Sequence, residues 1–376
     1  MDKSTMKKLF RSAAVCTLSA TMLFAGSCGR PEQKREKIAV ITKQDISYWA
    51  DVESGAKDAG KELGFDIIYN VATSDNDYAS QIEFINNAIK DDVDAIVIAP
   101  NSSDTELNEA FAKAEAAGIK LININSRANY DGIITCVSSS DLDGGSVAAR
   151  HSAASVLGAD DLRAVFSSSA EKKPTLEAVQ EYGKGAIAIL GHTAQTANDR
   201  IKGYKSECIE QILTQMTADG LSVDNGGKQL TEEQKEAMFQ PFFIECNRCS
   251  TIDASYEEAK KILTGADGKN IRTFYATNTN TTLGVCKAIE ELGLSDKVFV
   301  VGFNSDEQEI NYLRNRVLDG LVVQNPYSIG YVGVSYAKKA LDGQRLPKSL
   351  DTGVTFVNSD NLNDDYVQLL LHPDTY

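Results

Sequence analysis

The sequence is poor in the side chains that most often do chemistry. Its 376 residues hold three histidines, His151, His192 and His372, far apart from one another, and a single tryptophan. No G-x-S-x-G elbow, H-E-x-x-H helix or G-x-x-x-x-G-K-[ST] loop occurs, and no G-x-G-x-x-G opens the first helical stretch, so these hydrolase, metalloprotease and nucleotide-binding signatures are excluded. Positive charge is scarce as well. Thirty-eight Lys and Arg face 53 Asp and Glu, for a net charge of −15, the wrong sign for a nucleic-acid partner. No apolar run after the first 28 residues is long enough to span a membrane as a helix, and no motif requires a metal or a cofactor.

What is present begins with an address. Lys3, Lys7, Lys8 and Arg11 precede a small and apolar stretch from Ala13 to Phe24, which breaks at Ala25-Gly26-Ser27-Cys28. That order of charge, apolar run and small residues is a secretory signal. Small residues ending in Cys resemble a bacterial lipobox, which makes Cys28 the expected lipidation site; an ordinary cleavage site beside an incidental Cys is the other reading. Residues 29–37 are charged, lack an apolar period and suit a flexible tether. Residues 1–27 carry four basic groups and one acidic group, so their removal takes the net charge from −15 to about −18. Beyond Cys28, Cys136, Cys208 and Cys286 stand singly in apolar segments and read as small core residues. Cys246 and Cys249 form a lone C-x-x-C; in an exported chain a local disulfide and two free thiols are both open readings.

From Ile38 onward, short apolar runs alternate with amphipathic helical stretches, the pattern of β-α-β units and a parallel sheet. Strands are predicted at 38–42, 65–71, 95–99, 120–125, 134–137, 186–190, 242–245, 272–277, 298–303 and 321–324. Three joints, Leu63-Gly64-Phe65, Ala117-Gly118-Ile119 and Leu292-Gly293-Leu294, place Gly where a helix closes in the left-handed conformation and an apolar residue where the next segment begins. The expected fold class is α/β, with two doubly wound parallel-sheet lobes. Segments 158–185 and 214–241 interrupt the rhythm as surface elaborations, the latter with a short helix from Glu232 to Met238.

In open parallel sheets, ligands bind beyond the carboxyl ends of the strands. The residues that follow the predicted strands are rich in amide, hydroxyl and guanidinium groups: Thr42-Lys43-Gln44-Asp45, Pro100-Asn101, Asn125-Ser126-Arg127, Ser139-Ser140-Asp141, Gly191-His192, Thr277-Asn278, Asn304 and Gln324-Asn325. Each has a second reading as a helix cap or solvated loop residue, His192 included. Together they suit a ligand covered with hydroxyls, which can donate or accept. Tyr48 and Trp49 follow the first strand, where a flat ring can cover the apolar face of a sugar or fill a core. A glycosidase needs two carboxylates about 5–9.5 Å apart, and the strand ends offer only Asp45 and Asp141; the chain does not read as an enzyme.

Several stretches, in order, resemble the periplasmic sugar-binding proteins of the ribose-binding type: Lys37-Ile-Ala-Val-Ile-Thr42 with Tyr48-Trp49, Ala95-Ile-Val-Ile-Ala-Pro-Asn101, Ser139-Ser-Asp-Leu-Asp-Gly-Gly145, Asn198-Asp-Arg-Ile-Lys-Gly-Tyr204, Phe274-Tyr-Ala-Thr-Asn278, Val300-Val-Gly-Phe-Asn304 and Gly320-Leu-Val-Val-Gln324. The resemblance implies a type I periplasmic binding protein fold with three crossings between lobes. One lobe would be 38–140 with 325–354, the other 141–324 with 355–376. It implies ligand contacts from a hydroxyl at Thr42, stacking rings at Tyr48 and Trp49, a Ser126-Arg127 pair, a second guanidinium at Arg200, amides at Asn278 and Gln324, and Asn304. Lys43 and Asp45 stand beside that set. Ser126 and Asn304 replace the two carboxylates of the ribose-type pattern, which puts ribose itself in doubt. The implied protein is a monomer, exported and touching the membrane only through its lipid. It would capture a sugar-like ligand in the cleft between lobes and deliver it to an ABC permease, or report it to a membrane kinase or chemoreceptor.

Overall fold

The computed structural model describes residues 36–74, 77–101, 105–157, 176–218 and 230–373. Residues 1–35, on which the readings of a secretory signal and of lipidation at Cys28 rest, lie outside the described residues. The chain divides into two compact units. The first runs to Ser139 and takes in Asn325–Thr352 and the chain from Asp364; the second is Ser140–Gln324 with Gly353–Asn363.

The first unit is a six-stranded parallel sheet in the order β11-β5-β4-β3-β1-β2, made of β1 (Lys37–Thr42), β2 (Asp66–Val71), β3 (Ala95–Ile98), β4 (Lys120–Ile124), β5 (Thr135–Ser138) and β11 (Ser349–Asp351). Its central strands are apolar on both faces because helices cover both. Ile38, Val40, Ala95 and Val97 enter one cluster while Ala39, Ile41, Ile96 and Ile98 enter the other, as the twofold period of a strand requires. The first cluster is closed by α1 (Ser47–Leu63) and α11 (Pro326–Leu341), the second by α2 (Tyr78–Lys90) and α3 (Asn108–Ala116).

The second unit repeats the plan with order β12-β10-β9-β8-β6-β7: β6 (Ile187–Leu190), β7 (Phe243–Cys246), β8 (Thr273–Ala276), β9 (Phe299–Phe303), β10 (Gly320–Gln324) and β12 (Val354–Asn358). Here the sixth strand is antiparallel to its neighbour. The helices are α4 (Asp141–Leu157), α5 (Leu176–Gly183), α6 (Gln195–Ala218), α7 (Glu232–Phe239), α8 (Ile252–Thr264), α9 (Thr279–Leu292) and α10 (Glu307–Arg314).

The α/β class and every predicted strand are present. The three Gly joints are left-handed, with φ of 84° at Gly64, 84° at Gly118 and 63° at Gly293. Two strands were not predicted, β11 because three residues show no period, and β12 although Val354-Thr-Phe-Val is β-branched and aromatic. The lobe boundaries need a correction at the tail. β12 stays with the second unit through its ladder to β10, but α12 (Asp365–Leu371), with Val367, Leu369, Leu370 and Leu371 buried, falls in the first, so the chain passes between units four times rather than three.

Candidate functional site

In each unit the strand order reverses next to the first strand, between β1 and β3 and between β6 and β8, and the carboxyl edge at such a point is where an open α/β sheet holds a ligand. In the first unit that edge is held by a residue that strand-end reasoning missed, because it sits on α2. Gln81 is fully buried; its Nε2 donates to Ala99 O at 2.8 Å and Thr42 O at 3.4 Å, and its Oε1 accepts from Asn101 N at 2.8 Å. One amide thus ties the ends of β1 and β3. Asn101 donates through Nδ2 to Ser74 O, and its Oδ1 is buried without a partner among the described residues.

Thr42 is also fully buried. Its Oγ1 lies 2.7 Å from Tyr69 Oη, which donates its own hydrogen to Trp49 O at 3.1 Å, so Thr42 gives its hydrogen to Tyr69. Burial pushes the Tyr69 pKa up to about 12 and keeps that hydroxyl protonated. The two aromatics part company. Trp49 is 4% exposed and packs with Val52, Ala56 and Ile329 in the core, so the reading of an open stacking ring is corrected to a core role. Tyr48, edge-on to it at 4.9 Å, is half-buried at the rim and accepts from Asn125 Nδ2 at 3.0 Å. Lys43 is half-buried and Asp45 is exposed just past β1.

Ser126 caps the neighbouring strand end, its Oγ donating to Pro100 O at 3.2 Å. Arg127 needs a correction. It is exposed, and its guanidinium donates to Lys348 O at 2.7 Å and Ile133 O at 3.4 Å, carbonyls that precede β11 and β5 rather than follow them. The side chain fastens the loop returning to β5. The carboxyl edge instead receives Asn125, which follows β4 directly in the left-handed region, φ 62°.

The second unit centres on Arg200 from α6, 6% exposed. Nε donates to Asp141 Oδ1 at 2.8 Å and Nη1 to Thr277 O at 2.7 Å, while the guanidinium lies 3.6 Å from the Phe303 ring centre. A buried guanidinium is stable only when paired and hydrogen-bonded, and this one is both. Three buried oxygens on β8 and on residues just after β8 and β9 have no partner among the described residues: Tyr275 Oη, Thr277 Oγ1 and Asn304 Oδ1. Tyr275, stacked on Tyr204 at 4.3 Å, is held neutral by burial, well above the usual tyrosine range. Asn304 follows β9 with φ 87°, and Gln324, 4% exposed, ends β10. The Asn278 amide oxygen accepts from Thr281 N and so serves as the cap of α9, and His192 Nδ1 accepts from Ala194 N at 3.3 Å, closing the turn into α6. Asp141, Thr277 and Phe303 carry this edge with Arg200, and nothing short of the fold ranks them above their neighbours.

Cys246, the last residue of β7, and Cys249, in the loop after it, are free thiols 3.7 Å apart, and both are tied to Gly191 just past β6 by the Gly191 N to Cys246 O and Cys249 N to Gly191 O bonds. Among the described residues no His, Cys, Asp and Glu cluster could hold a metal ion, and no helix is long and apolar enough to cross a membrane.

This pairing of doubly wound units with polar carboxyl edges is the architecture of solute-binding proteins. Residues 38–345 match the family model of the periplasmic binding protein domain, and the chain belongs to that family. It is similar to the ribose import binding protein RbsB of Bacillus subtilis (strain 168), 22% identical over 348 residues that make up 90% of this chain and 95% of that one. It is also similar to the D-allose-binding periplasmic protein of Escherichia coli (strain K12), 22% identical over 91% of this chain and 92% of the other. A solved carbohydrate transporter solute binding protein from Agrobacterium radiobacter, in complex with D-arabinose, superposes with a TM-score of 0.67 at 26% identity, covering 90% of this chain and 100% of that one.

Proposed function

We propose that the protein is an exported solute-binding lipoprotein that captures a small hydroxyl-rich molecule, a monosaccharide or a close derivative, and delivers it to an ABC transporter permease. The observation that carries this reading is the set of strand ends in the second unit, where a braced guanidinium at the end of β8 is joined by unpaired oxygens of Tyr275, Thr277 and Asn304 on β8 and on residues just after β8 and β9. A sugar hydroxyl can donate to such oxygens and accept from such a donor, which a purely anionic or purely cationic ligand cannot do. Relatives named for ribose and D-allose over nine-tenths of the chain support a sugar. Tyr48, Asn125, Ser126, Lys43 and Asp45 are the contacts proposed from the first unit; Arg200, Asn278, Asn304 and Gln324 are those from the second. Ala25-Gly26-Ser27-Cys28 and the charged stretch behind it support a lipid anchor on Cys28, with the protein working as a monomer at the membrane face.

Thermal melting of the purified protein against pentoses, hexoses, their acids, nucleosides and amino acids tests the ligand class. A ligand that binds only the folded state adds about 2.7 kcal/mol at a hundredfold excess over Kd, enough to raise Tm by several degrees. A rise with one neutral sugar supports the reading. Silence across all sugars with a response to an amino acid or nucleoside overturns it.

A further inference from the structure

Asn304 stands where the ribose-type pattern carries a carboxylate, and an amide can offer a ligand hydroxyl either its oxygen or its NH2. The residues behind it decide which. Asn304 Nδ2 donates to Thr279 Oγ1 at 3.2 Å, leaving Oδ1 buried and unpaired. Thr279 Oγ1 lies 3.3 Å from Glu309 Oε2, and that oxygen also accepts the Asp306 backbone N–H at 2.8 Å. A hydroxyl has one hydrogen. If Thr279 gives it to Glu309, only a lone pair remains for Asn304, and the amide must turn its NH2 inward and its oxygen outward.

Glu309 is the third residue of α10 and shares a capping box with Asp306. A cap does not need burial: Gln234, at the same place in the capping box of α7, is exposed. Glu309 by contrast is fully buried, with Oε1 unpartnered among the described residues, a costly position for a carboxyl whose only task is to cap. Burial pushes its pKa up to about 8, so near neutral pH it is mostly the uncharged acid. Oε2 accepts the Asp306 backbone N–H, which favours the proton on Oε1 and leaves Oε2 an acceptor in either charge state.

We infer that Glu309 and Thr279 are positioning residues that lock the Asn304 amide with its oxygen toward the ligand, restoring the hydroxyl-accepting character a carboxylate would have there. This rests on the reading that Asn304 contacts a sugar. Glu309 touches no ligand in this scheme; it acts through Thr279.

Two measurements on the whole chain test it, one of them independent of any ligand. In the ligand-free protein, the side-chain amide resonance of Asn304 should move in T279V and E309L and stay in place in E309Q, whose amide oxygen can take over from Oε2. With D-ribose and D-allose as probes, T279V should weaken binding about five- to tenfold when residue 304 is Asn, the loss of one neutral hydrogen bond, but less than twofold in an N304D background, where both oxygens accept whatever lies behind them. E309L should match T279V, and E309Q should bind within about twofold of the parent. An unmoved amide resonance in folded T279V overturns the inference, as do equal losses in the Asn304 and N304D backgrounds. If neither of these two sugars binds the parent, the sugar reading is left to the melting panel, and the amide resonance alone decides the relay.

Discussion

In the first unit the ends of β1 and β3 are joined by a neutral amide, Gln81; in the second, Arg200, paired with Asp141 and stacked on Phe303, holds the end of β8. The rest of the two edges runs in parallel. Asn125 N donates to Val137 O at 2.9 Å, and Asn304 N donates to Val322 O at 2.9 Å, each Asn left-handed, each one residue past the fourth strand of its unit in chain order. Asn tolerates that backbone better than other non-glycine residues, so both units use the same residue to turn the chain and aim an amide along the edge. The difference teaches that one plan can be braced by a dipole or by a charge, and that the charged brace is the one that fails harder when cut.

The largest effect should come from that brace. Arg200→Ala leaves the mostly buried Asp141 carboxylate without its guanidinium, and we expect a loss of about 3–5 kcal/mol in urea unfolding, with calorimetry locating it in the second unit. A loss under about 1 kcal/mol would mean that the ion pair braces nothing. The next effect should erase the difference between units, because both rest on glycines at a helix crossing. A Cβ on Gly55 would lie 2.0 Å from Tyr327 O between α1 and α11, and one on Gly203 would lie 1.9 Å from Leu142 O between α4 and α6. Ala is the better helix former by about 1 kcal/mol, but overpacking against backbone outweighs it, so Gly55→Ala and Gly203→Ala should each cost about 1–3 kcal/mol by the same unfolding assay. A neutral or stabilising result at either position would show that its crossing can open.

Gln81→Leu should cost about 1–2 kcal/mol, because Ala99 O and Asn101 N lose their partner in a buried place; parity with Arg200→Ala would break the distinction between dipole and charge. The smallest effect is a pH dependence confined to the second unit. Asp319 accepts the Val300 N–H at 2.7 Å, yet burial raises its pKa from 3.8 to about 6. A carboxyl whose folded pKa is raised keeps its proton longer when folded, so its contribution to stability falls as pH rises from about 4 to about 6. Solvent screening of this partly exposed group holds the effect to the order of 1 kcal/mol. Asp319→Asn should make that part of the stability profile shallower, leaving the slope that Glu309, pushed up to about 8, contributes above about pH 4.5, and an unchanged slope would remove Asp319 as a source.

Much of the fold was legible because periodicity and capping are local. The alternation through Ile38–Ile41 and Ala95–Ile98 announces strands covered on both faces, and Gly after Leu63, Ala117 and Leu292 announces helix ends. The site was legible only as a set of places. Arg200 reaches the end of β8 and Asn304 follows β9, whereas Ser126-Arg127 pointed one residue too far. The left-handed turn at Asn125 gives the edge to the Asn and sends Arg127 back toward Lys348 O. Gln81 was invisible because a buried glutamine on a helix looks, in sequence, like a solvated one.

The sequence by itself determined the class: an acidic chain without the catalytic and nucleotide-binding motifs named above, and two rounds of alternating strand and helix ending in polar residues. Tertiary structure alone decided which of those residues brace and which remain for a ligand. Trp49 went to the core because α1 folds back onto β1 and α11 closes over it, and Thr42 gave its hydrogen to Tyr69 because β2 lies beside β1. Strand ends are fixed by local periodicity, whereas a side chain's hydrogen bonds are fixed by whichever distant segment packs beside it, and no local pattern records that.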